Sequence, residues 1–107
     1  MIKLCHINDI TEGSARGFDL HGEKYFAVKR DTQLFVYKNA CPHLGIPLEW
    51  HEDGFLDSDG ELIQCATHGA LFVIETGECV SGPCLGDRLS PAKISLENGE
   101  VLIDADL

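Results

Sequence analysis

Cysteine and histidine recur in the same order in "CPHLG" at residues 41–45 and "CATHG" at residues 65–69. One residue separates Cys41 from His43, two separate Cys65 from His68, and 21 lie between the pairs. Two thiolates and two imidazoles form a ligand set for a soft or borderline metal. They could enclose a tetrahedral zinc ion. They could also hold a two-iron, two-sulfide cluster, with the thiolates on one iron and the imidazoles on the other. Zinc sites commonly draw two like ligands from one C-x2–4-C segment, whereas each segment here offers one of each kind. A binuclear centre uses that arrangement, because each loop then reaches both irons. Gly45 and Gly69 place bare backbone beside the ligands, where N–H groups can approach bridging sulfides. Pro42 restricts how the first loop bends. Nothing in the chain resembles a nucleophile with its base or a phosphate-cradling glycine loop, so an enzyme acting alone is not expected.

The elements that must position these loops read as strands. Alternating or continuous apolar runs occupy residues 2–7, 25–30, 33–38, 61–64, 70–75, 92–97 and 100–104. Turn signals separate them at His21-Gly22-Glu23, Arg30-Asp31-Thr32, Asp57-Ser58-Asp59-Gly60, Thr76-Gly77 and Asn98-Gly99. Asn-Gly is the strongest of these, since both central residues of a type I′ turn need positive φ. No helical period survives over a long window, and glycine recurs too often for one. The pattern predicts an all-β fold, a small antiparallel β-sandwich or barrel, in a single domain spanning residues 1–107. Residues 39–57 break the strand rhythm with two prolines, Cys41, His43, His51 and Trp50. A loop of that length in a compact domain is usually functional.

On this background "CPHLG…CATHG" resembles the Rieske proteins, and in particular the small Rieske-type ferredoxins. The likeness extends to the preceding hairpins, to a third loop "SGPC" at residues 81–84, and to the closing hairpin at Asn98-Gly99. The resemblance implies a cluster-binding loop subdomain over about residues 39–84 and one [2Fe–2S] cluster per chain, held by Cys41, His43, Cys65 and His68. It also implies a proline of the third loop, Pro83, packed beside the cluster. The segment "EWHEDGFLDSDG", residues 49–60, lengthens the gap between the ligand loops and is expected to form a small lobe or hairpin. Respiratory members of the family join their loops by a disulfide and carry a serine after the second glycine. The corresponding positions are Ile46, Thr67 and Ala70, so neither feature is expected.

Two thiolates balance the charge of the oxidised cluster, and neutral imidazoles raise its potential, to roughly −150 to +300 mV across Rieske centres. Without a hydroxyl at Ala70 to stabilise the reduced state, the low end is expected. The outer nitrogens of His43 and His68 would face solvent as the electron exit, and the potential would fall as those imidazoles lose protons. The implied role is one-electron transfer, from a flavoprotein reductase to an oxygenase or another terminal reductase. Three alternatives stay open: a small subunit of a multi-component, nitrite-reductase type enzyme, a structural Cys2His2 zinc interaction module, and a redox or iron sensor working through a DNA-binding partner.

Composition bounds the partners. The 107 residues suit one modest core, and 44% hydrophobic content argues against disorder. Eight basic against eighteen acidic side chains give a formal charge of −10, which repels nucleic acid and anionic membranes and suits a basic protein partner. The N-terminus "MIKLCHINDITEG" lacks the charged start and apolar run of a signal peptide, and no stretch nears the roughly 20 apolar residues of a membrane helix. A cytoplasmic protein is expected, in which Cys5, Cys79 and Cys84 are buried thiols rather than a disulfide framework. His6, His21 and His51 fall outside the ligand pattern, and "DSDGE" at 57–61 reads as an ordinary turn. Trp50, Phe55 and Leu56 should pack the long loop against the core.

Overall fold

The computed structural model describes residues 2–20, 22–40, 54–57, 60–65, 69–82 and 85–104. They form nine strands: β1 Ile2–His6, β2 Ala15–Leu20, β3 Glu23–Arg30, β4 Gln33–Lys38, β5 Leu62–Gln64, β6 Leu71–Val73, β7 Cys79–Ser81, β8 Ile94–Glu97 and β9 Glu100–Ile103. A single 3-10 turn, Ile7–Asp9, is the one helical element among the described residues. The fold is all-β and antiparallel, as expected, and is built as three three-stranded sheets ordered β1-β9-β8, β2-β3-β4 and β5-β6-β7.

The middle sheet explains why the run at 25–30 is apolar without alternation. Successive strand side chains point to opposite faces. Tyr25 and Ala27 enter one core with Cys5, Ile10, Val36, Val101 and Ile103. Phe26 and Val28 enter a second core with Tyr37, Phe55, Ile63, Phe72, Ile74 and Leu89. Strand β3 is therefore buried on both sides, with residues 25–28 at most 1% exposed. Strand β4 divides likewise, Val36 to the first core and Tyr37 to the second. One sheet thus supports the β1-β9-β8 layer on one face and the β5-β6-β7 lobe on the other.

The turns behave as their residues require. Asn98 and Gly99 have φ of 54° and 82°, the type I′ signature, between β8 and β9. Asp31 and Thr32 adopt the same sign, 54° and 62°, without glycine. Their amides are held by one carboxylate: Glu12 accepts from Asp31 N at 2.6 Å and from Thr32 N at 2.9 Å. Two strands exceed the apolar runs. In β2, Arg16, Gly17 and Asp19 interrupt the pattern, and in β7 three residues are too few to show one. Residue 7, at the end of the first run, instead opens the 3-10 turn, capped by His6 Nδ1 accepting from Asn8 N at 3.1 Å.

Candidate metal centre

The second ligand loop is a turn tied at its neck. Strands β5 and β6 pair from Leu62↔Val73 to Gln64↔Leu71. Beyond that pair, Cys65 N donates to Ala70 O at 2.9 Å and Gly69 N donates to Cys65 O at 2.7 Å. Gly69 sits at φ +69°, and a Cβ there would meet no protein atom within 4 Å. The glycine is needed for its backbone conformation. Its N–H is committed to Cys65 O, so the sequence expectation that it would donate to a sulfide is corrected. Cys65 is fully buried, in the second core with Phe55, Ile63, Ala70 and Phe72.

The first ligand loop is anchored at both ends. It leaves β4 where Asn39 N donates to Lys24 O at 2.8 Å and Ala40 N to Lys38 O at 3.0 Å. It returns at Phe55, whose carbonyl accepts from Gln64 N at 2.8 Å, one residue before Cys65. The Phe55 ring lies flat on Phe26, with centroids 4.5 Å apart and an interplanar angle of 7°. Leu56 then bridges to Ile63, and Asp57 N donates to Leu62 O at 2.9 Å. Asp57 Oδ1 accepts from Glu61 N at 3.0 Å, closing an ordinary turn. Residues 55–57 thus pair along β5, and Phe55 and Leu56 pack as read; residues 49–53, 58 and 59, with most of the lobe or hairpin expected over 49–60, lie outside the described residues.

The third loop presses on the second. At Gly82, φ +99°, an added Cβ would lie 2.8 Å from Ala70 Cα and 3.3 Å from Ala70 N. Only a residue without a side chain fits there. The lobe is also fastened to the middle sheet. Tyr37 Oη donates to Ile74 O at 2.6 Å. Burial, with Glu75 nearby, pushes that hydroxyl up to about 12. Arg30 Nη2 lies 2.9 Å from Glu61, and Nε lies 3.3 Å from Glu75.

Of the four expected ligands, Cys65 lies among the described residues, whereas Cys41, His43 and His68 lie outside them, as do Gly45, Pro83, Trp50, His51, His21 and Cys84. The residues present fit an iron–sulfur group. A fully buried thiol is costly to ionise unless a cation takes the thiolate, and the chain brings one to a tied turn that also contains His68. Two thiolates with two neutral imidazoles supply the donor set that such a cluster takes. The remaining described cysteines are buried and serve packing: burial first, then Asp9, pushes the Cys5 thiol up, and Cys79 Sγ donates to Ser81 O at 3.3 Å. Sequence reasoning missed Gly82, Tyr37, Arg30 and Glu12. Each acts across a long sequence separation that no local pattern signals.

A three-sheet antiparallel β fold with a buried cysteine at the neck of a tied turn, in a chain with a paired Cys-His motif, points to a class of small iron–sulfur domain. The model of the Rieske [2Fe-2S] domain family matches residues 1–97, and this chain belongs to that family, whose domain carries a [2Fe–2S] cluster. It is 34% identical over 102 residues to Apoptosis-inducing factor 3 of Mus musculus, covering 95% of this chain and spanning 16% of that protein's length. It is 29% identical over 105 residues to the biphenyl dioxygenase ferredoxin subunit of Pseudomonas sp. (strain KKS102), covering 95% of this chain and 89% of that protein. The solved Sphingomonas yanoikuyae B1 ferredoxin superposes with a TM-score of 0.77 at 27% identity, over 98% of each chain. Among the described residues no helix is long and apolar enough to cross a membrane.

Proposed function

We propose that residues 1–107 form one domain that works in the cytoplasm as a one-electron carrier, with its cluster held by Cys41, His43, Cys65 and His68. The observation that carries the ligand assignment is the buried Cys65 at the neck of the 65–70 turn, with the return of the first loop hydrogen-bonded one residue away at Gln64. When bound, the cluster accepts and releases one electron at a time. The chain's own part is to bury Cys65 and to tie the ends from which the two ligand segments depart: Asn39 to Lys24, Phe55 to Gln64 and Cys65 to Ala70. The absence of a hydroxyl at Ala70 supports a potential at the low end of the Rieske range. That potential suits electrons drawn from a flavoprotein reductase and passed to an oxygenase or other terminal enzyme, and the biphenyl dioxygenase relative is by name the ferredoxin subunit of an oxygenase. The carrier moves electrons and transforms no substrate itself. A second reading, a module that serves one dedicated partner, is favoured by the mammalian relatives, in which this region makes up 16% of the length.

The test is absorption and low-temperature EPR of anaerobically purified protein before and after dithionite. Visible bands that bleach, and a reduced signal of average g below that of all-cysteine clusters, support the assignment. Cys65→Ser and His68→Ala should each abolish that signal. A colourless protein binding one zinc through these residues sinks the electron-carrier reading.

A further inference from the structure

We propose that the hairpin of residues 78–88 is an apolar foot on which a redox partner with a basic, apolar-centred docking face sits, a proposal that rests on the electron-carrier reading. Four large apolar side chains are exposed among the described residues: Ile2, Val80, Leu85 and Leu96. Val80, 44% exposed, and Leu85, 67% exposed, stand on either side of Gly82, the residue that abuts Ala70 at the neck of the Cys65 turn. Leu85 N donates to Gly82 O at 3.2 Å, which keeps the leucine beside that contact. The sheet continues the surface. Ile63, Phe72 and Cys79 face the core, so by alternation Leu62, Leu71 and Val73 face outward, where they are only partly covered. Val80 and Leu85 are two exposed apolar side chains on one hairpin, next to the glycine that abuts the Cys65 turn. Contact with a partner would explain their exposure.

Charge selects the partner's chemistry. Residues 39–87 contain nine aspartates and glutamates and no lysine or arginine, whereas the rest of the chain sets nine acids against eight bases. Nearly the whole formal charge of −10 therefore belongs to the segment that carries the ligand loops and this hairpin. Positive groups border the segment at its root: Lys24 and Lys38 where it leaves β4, Arg30 reaching from β3 to Glu61 and Glu75, and Arg88 opposite Glu78. An approaching basic protein is turned lobe-first by this asymmetry and then buries Val80 and Leu85.

The test follows oxidation of the reduced holoprotein by stopped flow. The probes are cytochrome c, a basic one-electron acceptor with an apolar haem edge, and ferricyanide, an anionic one. Added NaCl should slow the first reaction and speed the second. Neutralising three acids that follow Cys41 and His43 in the sequence (Glu49→Gln, Glu52→Gln, Asp53→Asn) should slow cytochrome c reduction at low salt about fivefold. Neutralising three around the β1-β9-β8 sheet (Asp9→Asn, Glu97→Gln, Glu100→Gln) should change it by less than about twofold. At high salt, where steering is screened, Leu85→Ser should still cost about threefold and Leu96→Ser nothing. Equal effects of the two triple variants, or of the two leucine variants, overturn the docking proposal. The EPR signal of each variant keeps the cases apart. An intact Rieske signal with equal rates sinks the docking foot alone, whereas no such signal in the unsubstituted protein sinks the electron-carrier reading and the foot with it.

Discussion

Gly82 offers a prediction in which two energetic effects separate cleanly. Gly82 and Gly86 both have a large positive φ, +99° and +96°. Alanine at either position pays the cost of that conformation, about 1–3 kcal/mol. At Gly86 nothing lies within 4 Å of the new Cβ, so the backbone cost is the whole cost. At Gly82 the Cβ would stand 2.8 Å from Ala70 Cα and 3.1 Å from Ala70 Cβ. Carbon atoms prefer roughly 3.5–4.0 Å, so one loop must give way by about 0.7 Å or more. The obstacle is backbone in a fully buried residue, and overpacking of this kind costs about 1–3 kcal/mol beyond the shared term. Thermal unfolding of the two holoprotein variants should therefore differ, with Gly82→Ala melting roughly 4 °C or more below Gly86→Ala. The displaced atom belongs to the residue whose carbonyl receives Cys65 N, so the EPR g-values or potential should shift in Gly82→Ala and not in Gly86→Ala. Equal melting temperatures for the two variants would refute the close approach of the second and third loops.

Tyr37→Phe removes the 2.6 Å bond to Ile74 O and leaves a buried carbonyl unpaired, which should cost about 1–2 kcal/mol in urea unfolding. The hydroxyl's pKa rises from 10.0 to about 12 in the folded chain, so its contribution is fully present below pH 10 and is lost as the pH climbs through 12. The phenylalanine variant should lack that alkaline loss. Glu12 shows the opposite sign. The amides of Thr32 and Asp31 hold its carboxyl below the ordinary glutamate value of 4.5, so its contribution is present above that pH and is lost as the pH falls below it. Acid titration of stability in Glu12→Gln should show a shallower loss than in the unsubstituted protein. Thr32→Gly should stabilise the protein by about 0.5–1 kcal/mol, because glycine accepts φ 62° without the strain of a branched side chain; a lower melting temperature would contradict that strain.

What could be read in the sequence follows from what is local. Strand β4 was legible at its true limits, 33–38, because Leu34, Val36 and Tyr37 are apolar and turn residues flank the run. Strand β3 was legible as a strand, but its two-sided burial was not, since a continuous apolar run also suits other buried segments. Strand β2 escaped because an edge strand with Arg16, Gly17 and Asp19 carries little apolar signal. Cys65 could be picked out by its spacing to His68, and its full burial agrees with a ligand's role. Gly69 was singled out for the wrong reason. Its amide closes the turn, and only φ and hydrogen-bond partners, which a sequence does not display, reveal that. Long-range ties such as Arg30 to Glu75 and Glu12 to Thr32 pair residues whose types are ordinary at both ends.

The distribution of rigidity bears on how a short acidic lobe can hold a redox centre. Strands β5, β6 and β7 have three residues each, too few for a free-standing sheet to be stable. Their support comes from outside: Phe55 stacked on Phe26, Tyr37 bonded to Ile74 O, and Arg30 clasping Glu61 and Glu75. All three originate on β3 or β4, the strands locked between two cores. The lobe that carries Cys65 is therefore held by the most buried part of the chain, while Val80 and Leu85 on the next hairpin stay exposed. Loss of Phe26 or Tyr37 would thus loosen the lobe without touching a ligand. A site supported in this way can leave Val80 and Leu85 uncovered for a partner, because neither residue is needed to hold the loops.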